Sequence, residues 1–361
     1  MRACLGAVER GVGDSSGLPI LKNVLIQTDG SQIKLTTTNL EIAISVIVPG
    51  KALASGSVTV PTGVLRELVS NIPSERISLS SKNNKLEIKT DNYQAVIQGL
   101  PAEDFPIIPT IKNKKDSIKI KNNALKEALG QVVTSAQFSD LRPELNSVFF
   151  LFSVDQIKLV ATDSFRLSEK TIPATHFSAN IEDQFRALIP LKTAQELVRI
   201  LDDAEEVTVC RDPNQILFQT EKTSVISRLV EGSFPDYTPI VPVKFETEII
   251  ADKQELLNAI RLAGIFSSRV SEVRVKIPEN KKTIEVFSVE QAVGENNYIL
   301  PAKIQGSAKE ISFNWKYLGD GLKAIPGNEV FWGINEENKP ALIKSPKDTS
   351  FFYVLMPILK A

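Results

Sequence analysis

Three features of the 361-residue sequence predict an α+β protein made of three tandem copies of one domain. A set of apolar spacings recurs at an interval near 125 residues, short period-two strands accompany two amphipathic helices in each copy, and Pro-rich connectors separate the copies. Solenoid repeats recur every ~20–50 residues, so an interval this long denotes whole domains in series.

The elements follow in order. In copy one, Leu5, Val8 and Val12 have helical spacing, followed by Leu21-Lys22-Asn23-Val24-Leu25 and the alternating Ile33-Lys34-Leu35-Thr36-Thr37-Thr38. Copy two repeats them 124 residues later as Leu129, Val132 and Ala136, then Leu145 to Phe149, then Ile157 to Thr162. Val60-Pro61-Thr62 leads into Glu67-Leu68-Val69 as Ile189-Pro190-Leu191 leads into Glu196-Leu197-Val198, now 129 residues on, and Phe105 matches Phe234 at the same offset. Copy three is fainter: Leu256, Ala259, Ile260 and Ala263 form the helix and Ile284 to Ser288 the strand. There Phe313 to Tyr317 opens a second helix through Leu318, Leu322 and Ile325, and Phe352 to Pro357 closes the chain.

Copy two shows the pattern best. Strands are predicted over 118–120, 147–152, 156–161, 164–172, 207–210, 215–220 and 224–230, with helices over 124–133 and 193–201. Antiparallel sheet with both helices on one face is the expected packing. The connectors Pro106-Ile107-Ile108-Pro109 and Pro235 to Pro242 set domain boundaries at 1–112, 113–243 and 244–361. Copy one opens directly on its helix, whereas Ile118-Lys119-Ile120 precedes the helix of copy two. The expectation is a copy one without its first strand, which leaves an unpaired edge or implies a start upstream of Met1.

Composition narrows the function classes. Formal charge is −1, so any contact with nucleic acid depends on local sorting of Lys and Arg. Two distant cysteines, Cys4 and Cys210, suggest a reducing cytoplasm and no metal site. No apolar run of membrane-spanning length and no leader pattern is present, so a soluble cytoplasmic protein is expected. His176, the single histidine, has no nucleophile-and-acid signature beside it, and phosphate-loop and dinucleotide motifs are absent. No catalysis and no cofactor are expected.

The predicted helices each turn a basic residue away from their apolar stripe: Arg66, Lys126, Lys192, Arg199, Arg261, Lys316 and Lys323. Taken singly, each is an ordinary solvated face. Thr162-Asp163-Ser164-Phe165-Arg166-Leu167 reads as a turn entering a strand, with Asp163 placed to accept backbone N–H groups.

Four motifs in order, Leu18-Pro19-Ile20-Leu21, Thr162 to Leu167, Phe234-Pro235-Asp236-Tyr237 and Tyr353 to Pro357, resemble the bacterial DNA polymerase III β subunit family of sliding clamps. The resemblance covers nearly the whole chain. It implies three clamp-like domains in a homodimeric ring, antiparallel sheets outside and two helices per domain inside, encircling double-stranded DNA without reading sequence. Those helix cations, with Arg142, would face the DNA. Short apolar peptides of the polymerase III catalytic subunit, the clamp loader, other polymerases and repair proteins would enter a pocket. Its lining by matching position is Leu145, Thr162, Ser164, Phe165, Arg166, Leu167, Pro235, Ile240, Asn314, Tyr317, Val354, Met356 and Pro357, with Arg166 and Asn314 binding peptide carbonyls. Phe105, Ile107, Ile108, Ile265 and Phe266 would form the dimer interface. Two departures from the family pattern stand out: Ser15-Ser16 replaces a basic residue, and the loop at Arg142-Pro143-Glu144 lacks an aromatic pair. The alternative is a divergent clamp-like scaffold that binds peptides without closing on DNA.

Overall fold

The computed structural model describes residues 1–13, 17–73, 76–139, 141–201 and 205–359, so Ser15 and Ser16 lie outside the described residues. Copy one comprises α1 (Arg2–Val8), β1 (Asn23–Asp29), β2 (Gln32–Thr38), β3 (Ile42–Val48), β4 (Gly56–Pro61), α2 (Thr62–Asn71), β5 (Ser78–Lys82), β6 (Lys85–Lys89) and β7 (Gln94–Gln98). Copy two comprises β8 (Ser117–Lys121), α3 (Asn122–Val132), β9 (Ser147–Phe152), β10 (Gln156–Thr162), β11 (Arg166–Pro173), β12 (Phe177–Asn180), β13 (Phe185–Pro190), α4 (Leu191–Ile200), β14 (Glu206–Asp212), β15 (Gln215–Gln219) and β16 (Thr223–Arg228). Copy three comprises β17 (Thr247–Asp252), α5 (Lys253–Ile265), β18 (Glu272–Ile277), β19 (Thr283–Glu290), β20 (Gly294–Gly306), β21 (Lys309–Asn314), α6 (Trp315–Ala324), β22 (Glu329–Ile334), β23 (Ala341–Lys344) and β24 (Phe351–Leu355).

The predicted elements form, and β12 and β13 are additional to the sequence reading. Phe177-Ser178-Ala179-Asn180 carries one large apolar residue, so its pairing with β8 was not visible as an alternating run. Among the described residues no strand precedes α1. No helix there is long and apolar enough to cross a membrane.

Backbone pairing divides the chain differently from the repeat. One compact unit holds residues 1–126, 175–183 and 192–230; the other holds 127–174, 184–191 and 231–361. Copy two is shared between them, because β16, which closes copy two, pairs with β3 of copy one, and β24, which closes copy three, pairs with β11 of copy two. In the first unit β16 lies antiparallel to β3, with Val225 opposite Ile44, which gives a nine-stranded sheet in the order β12-β8-β14-β15-β16-β3-β2-β1-β4. In the second, β24 lies against β11, with Val354 opposite Leu167, inside a twelve-stranded sheet in the order β13-β9-β10-β11-β24-β23-β22-β17-β20-β19-β18-β21. Strands β5, β6 and β7 form a separate sheet. Each junction is sealed by an apolar cluster. Ala43, Ile111, Cys210, Leu217 and Ile226 bury the first, and Val160, Leu167, Leu342 and Val354 bury the second. Removing such surface from water stabilises by ~25 cal/mol per Å².

One polar contact recurs in all three copies. A basic residue of the first helix donates to the carbonyls that end the second: Arg2 Nη2 to Ile72 O at 2.6 Å, Lys126 Nζ to Leu201 O at 2.8 Å, and Lys253 Nζ to Ile325 O at 2.9 Å. The last carbonyls of a helix have no partner within it and carry the negative end of its dipole, so a cation satisfies both needs. Lys126 is therefore a half-buried cap and not the DNA-facing side chain the sequence suggested.

Lys126→Met should keep the aliphatic stem, lose the charged hydrogen bond and destabilise the protein by about 1 kcal/mol. Lys192→Met, on the exposed face of α4, should be neutral. Urea unfolding midpoints of the two variants check the difference.

Candidate functional site

The candidate site lies wholly within the second unit and begins at the turn between β10 and β11. The Asp163 side chain, only 1% exposed, accepts from the N–H groups of Phe165 and Arg166 through Oδ1, each at 3.0 Å. Thr162 Oγ1 donates to the Arg166 carbonyl at 2.7 Å and accepts from the Ser164 N–H at 3.2 Å. These bonds hold Ser164 at φ 77, a left-handed conformation that a non-glycine residue adopts at a cost. The consequence is an outward Phe165, 60% exposed, above a buried strand.

Arg166 serves the turn and not the solvent. Its Nε donates to Asp163 Oδ2 at 2.9 Å, its Nη1 donates to Asp320 Oδ2 at 2.8 Å, and its guanidinium lies 4.2 Å from the centroid of the Tyr317 ring. Burial alone would lower its pKa, but Tyr353, Asp320 and Asp163 outweigh burial and hold the group above its ordinary value. With two carboxylates and a ring engaged, Arg166 ties β11 to α6. The expectation that it binds peptide carbonyls is corrected to a positioning role. Asn314 is likewise occupied: its Oδ1 caps α6 by accepting from the N–H groups of Lys316 and Tyr317 at 3.0 and 3.4 Å.

The floor is apolar. Leu145, Thr162, Leu167, Val354 and Pro357 are buried, and Leu167 meets Val354 across β11 and β24. Phe149 stacks on Phe234 at 5.1 Å, Phe234 meets Tyr237 edge-on at 6.2 Å, and both Phe234 and Tyr237 pack on the Leu167–Val354 cluster. The Tyr237 hydroxyl donates to Glu169, and burial, reinforced by that carboxylate, pushes the phenol above its usual pKa. Met356 continues the pairing beyond β24, its N–H donating to the Phe165 carbonyl at 2.8 Å. Above this floor the reachable apolar surface is Phe165, Ile240 and the half-buried Met356, with Ser164 and Pro235 exposed at the margin. Sequence reading missed Asp320 as a member, since its partner Arg166 lies 154 residues away. It also left out Phe149, Phe234, Tyr237 and Glu169, which act from beneath.

The other sequence-predicted sets scatter. Arg66 is ion-paired with Glu9, Arg199 with Glu196 at 3.0 Å, and Lys323 with Asp320 at 3.3 Å. Arg142 reaches Glu144 at 3.3 Å and Ser164 Oγ at 3.3 Å, so it borders the pocket turn. Lys192, Arg261 and Lys316 are exposed. Of the residues assigned to a dimer interface, Phe105 is buried against Ile20 and Leu25, and Ile108 packs on that cluster and on the first-junction cluster. In the single chain Phe105 is thus buried within its own unit and Ile108 partly buried there. Ile107 and Ile265 are exposed at 95% and 65%, and Phe266 is half-buried.

Three family models match the chain in succession: the DNA polymerase III beta subunit N-terminal domain over residues 3–109, its central domain over 119–236 and its C-terminal domain over 238–359. The beta sliding clamp of Staphylococcus aureus strain Mu50 is 27% identical over 360 residues, 97% of this chain and 94% of that protein. The crystal structure of the Bacillus subtilis DNA polymerase sliding clamp superposes with a TM-score of 0.92 at 26% identity, covering 100% of this chain and 97% of the other. A Pseudomonas aeruginosa clamp bound to griselimycin gives a TM-score of 0.92 at 25% identity, with coverage of 100% and 97%. With all three domains matched in order and the turn, capped helices and C-terminal strand in place, the chain belongs to the DNA polymerase III β subunit family, the bacterial sliding clamps.

Proposed function

We propose that this chain works as a cytoplasmic, ring-shaped homodimer that encircles duplex DNA and tethers the replicative polymerase. The three domains would span residues 1–112, 113–243 and 244–361. The chain is a non-catalytic processivity subunit, and the clamp reading is favoured over a scaffold that does not close on DNA.

The observation that carries the proposal is the rule of strand pairing. The closing strand of copy two, β16, sits on β3 of copy one, and the closing strand of copy three, β24, sits on β11, the equivalent strand of copy two. The same step leaves two edges unused, β7 of copy one and the first half of β20, whose other side pairs with β19. A second copy of the chain supplies the complementary edge to each. Such a contact joins different surfaces and must either close or polymerise, and two three-domain chains close it. Both edges carry exposed apolar groups, Tyr93 and Val96 beside β7 and Ile299 on β20. Phe266 lies against Gly294 at the start of β20, and Ile265 is exposed next to it, which supports these two residues of the original interface set.

DNA contact falls to Arg66, Arg142, Lys192, Arg199, Arg261, Lys316 and Lys323 as sequence-independent phosphate partners. Phe165, Ile240 and Met356 would desolvate the apolar anchor of a partner peptide over the Leu167–Val354 floor, with Asp163 and Arg166 holding the turn in shape. Partners of this kind include the polymerase III catalytic subunit, the clamp loader, other polymerases and repair proteins.

Protein loaded on nicked circular DNA should remain through a high-salt wash and be lost when the circle is cut. Equal loss before and after cutting would overturn encirclement. Val96→Arg should convert a dimer of twice 39.7 kDa into monomer by light scattering, and an intact dimer would exclude this edge. Phe165→Ala combined with Met356→Ala should weaken a labelled peptide from the cognate polymerase by at least about tenfold, because burying each side chain contributes ~1–2 kcal/mol. The dimer mass should not change, and unchanged peptide affinity would place the pocket elsewhere.

A further inference from the structure

The segment 112–121 holds five lysines, Lys112, Lys114, Lys115, Lys119 and Lys121, against one acid, Asp116. All five are exposed, and all lie in the first compact unit. On β8 the alternation is strict: Ile118 and Ile120 are buried, while Lys119 and Lys121 face solvent. Among the described residues none of the five lysines makes an ion pair.

Other strand lysines of the chain are matched to carboxylates on the neighbouring strand. Lys276 stands opposite Glu285 and bonds it at 3.3 Å, and Lys158 of β10 reaches Glu169 of β11 at 3.2 Å. Lys119 instead stands opposite Thr208 and Ser178, both neutral. Two acids that touch the segment are engaged by amide groups: Asp212 accepts from the N–H groups of Lys112 and Asn113 at 3.1 and 3.4 Å, and Asp116 accepts from Asn113 Nδ2 at 2.7 Å. The fold does not require the lysines. In copy three β17, like β8, runs directly into the first helix of its copy, and it carries Ile250 and Asp252 at the positions of Lys119 and Lys121. Asp252 caps α5, accepting from the Glu255 N–H at 2.8 Å. Lys121 instead puts a cation before the positive end of α3, a placement that costs stability. Protection of a sheet edge does not account for it either, since β8 is paired on both sides, with β12 and β14.

We propose that this face docks an acidic, extended segment of a partner protein, with Asp or Glu at alternate positions. The ammonium groups and the helix end set the sign of the occupant. Strand geometry sets its spacing: Lys119 and Lys121 lie two residues apart, ~6.8 Å along β8, which is the repeat of alternate side chains in an extended peptide. An open groove of about 630 Å³, lined by Ile111, Lys112, Asn113, Lys114 and Lys115, receives the adjoining part of the segment. Its backbone is already fixed by Asp212 and by Asn113 Oδ1, which accepts from the Lys115 N–H at 3.1 Å, so the ordering cost of binding falls on the peptide. A protein segment is favoured over nucleic acid because residues 111–121 hold no arginine for bidentate phosphate bonds and no aromatic ring on which a base could stack. The face is separate from the pocket beside Phe165, which belongs to the other unit.

A blocked, fluorescein-labelled peptide of six Asp-Ser repeats is the probe, read by fluorescence anisotropy with the full-length protein. Binding should weaken with salt and fall at least about tenfold when Lys119→Glu is combined with Lys121→Glu. Lys281→Glu combined with Lys282→Glu, an equal change of net charge at an exposed hairpin of the other unit, should leave binding unchanged. A peptide of six Asp-Ser-Ser repeats, with the same charge out of step, should bind several-fold more weakly. The urea midpoint of the Lys119 and Lys121 variant should be no lower than that of the unaltered protein, because Lys121→Glu brings an acid to the positive end of α3. Lys112→Ser with Lys114→Ser, confined to the exposed loop, should lose affinity as well. Absence of binding at low salt, equal loss in the Lys281 and Lys282 variant, or equal binding of the two peptides would overturn the proposal. So would tighter binding of an oligothymidylate of the same charge at this face, or a change in the protein's own mass on altering Lys119 and Lys121, which would mark a contact between copies.

Discussion

The fold depends on one backbone contact made twice, the antiparallel pairing of a copy's last strand with an equivalent strand, β3 or β11, of the copy before it. A domain of this size could close its own sheets. Here the closing strands are lent back to the preceding copy, β16 to β3 and β24 to β11, so the compact units contain parts of two copies each. The seams are consequently as well buried as the interiors. Val225 and Ile44 are fully buried at one seam and Leu167 and Val354 nearly so at the other. A chain held together in this way leaves an edge at each end of the series, β7 and the first half of β20, and these are the edges the proposed dimer would cover.

The same duplicated backbone carries different chemistry at its two seams. Asn39 in copy one accepts from the N–H groups of Glu41 and Ile42 as Asp163 accepts from those of Phe165 and Arg166. Leu40 stands at φ 76 where Ser164 stands at φ 77, and the Arg228 N–H reaches the Glu41 carbonyl as the Met356 N–H reaches that of Phe165. What differs is the side chains. Ala43 replaces Leu167 in the floor, Ile111 is itself buried in the first cluster, and Glu41 stands where Phe165 projects. Leu40 and Ser164 show that the strained turn is a property of the fold. The projecting Phe165 over the Leu167–Val354 floor is the second copy's addition to it.

Much of this was legible from residues alone, and the reasons for the failures are specific. Periodicity located both helices of copy two and most of its strands because their buried faces are long and regular; β12 escaped because four residues with one aromatic carry too little pattern. Asp163 could be read as a turn residue since its bonds are local in sequence. Arg166 and Asn314 were assigned to a ligand because their partners are remote or structural: Asp320 lies 154 residues from Arg166, and the capped N–H groups of α6 appear only once the helix exists. Lys126 failed for the same reason, its carbonyl partner being 75 residues away. Phe105 entered the interface set through the family resemblance alone, and its packing on Ile20 and Leu25 has no local signature in the sequence. Sequence therefore reports local bonds and buried faces well, and loses long-range polar bonds that occupy a side chain that looks free.

That last class of bond also bears on how such a chain meets DNA. Several candidate cations are not free charges: Arg66 is held by Glu9, Arg199 by Glu196 and Lys323 by Asp320. Exposed ion pairs of this type are worth only ~0–1 kcal/mol, so a phosphate can exchange for the carboxylate at little cost or gain. A formal charge of −1 over the whole chain adds no long-range attraction. Contacts of near-zero net energy give no deep minimum at any position along the duplex, which favours translation and disfavours retention. On the proposed ring, retention comes from closure, and closure falls to the strand edges of β7 and the first half of β20.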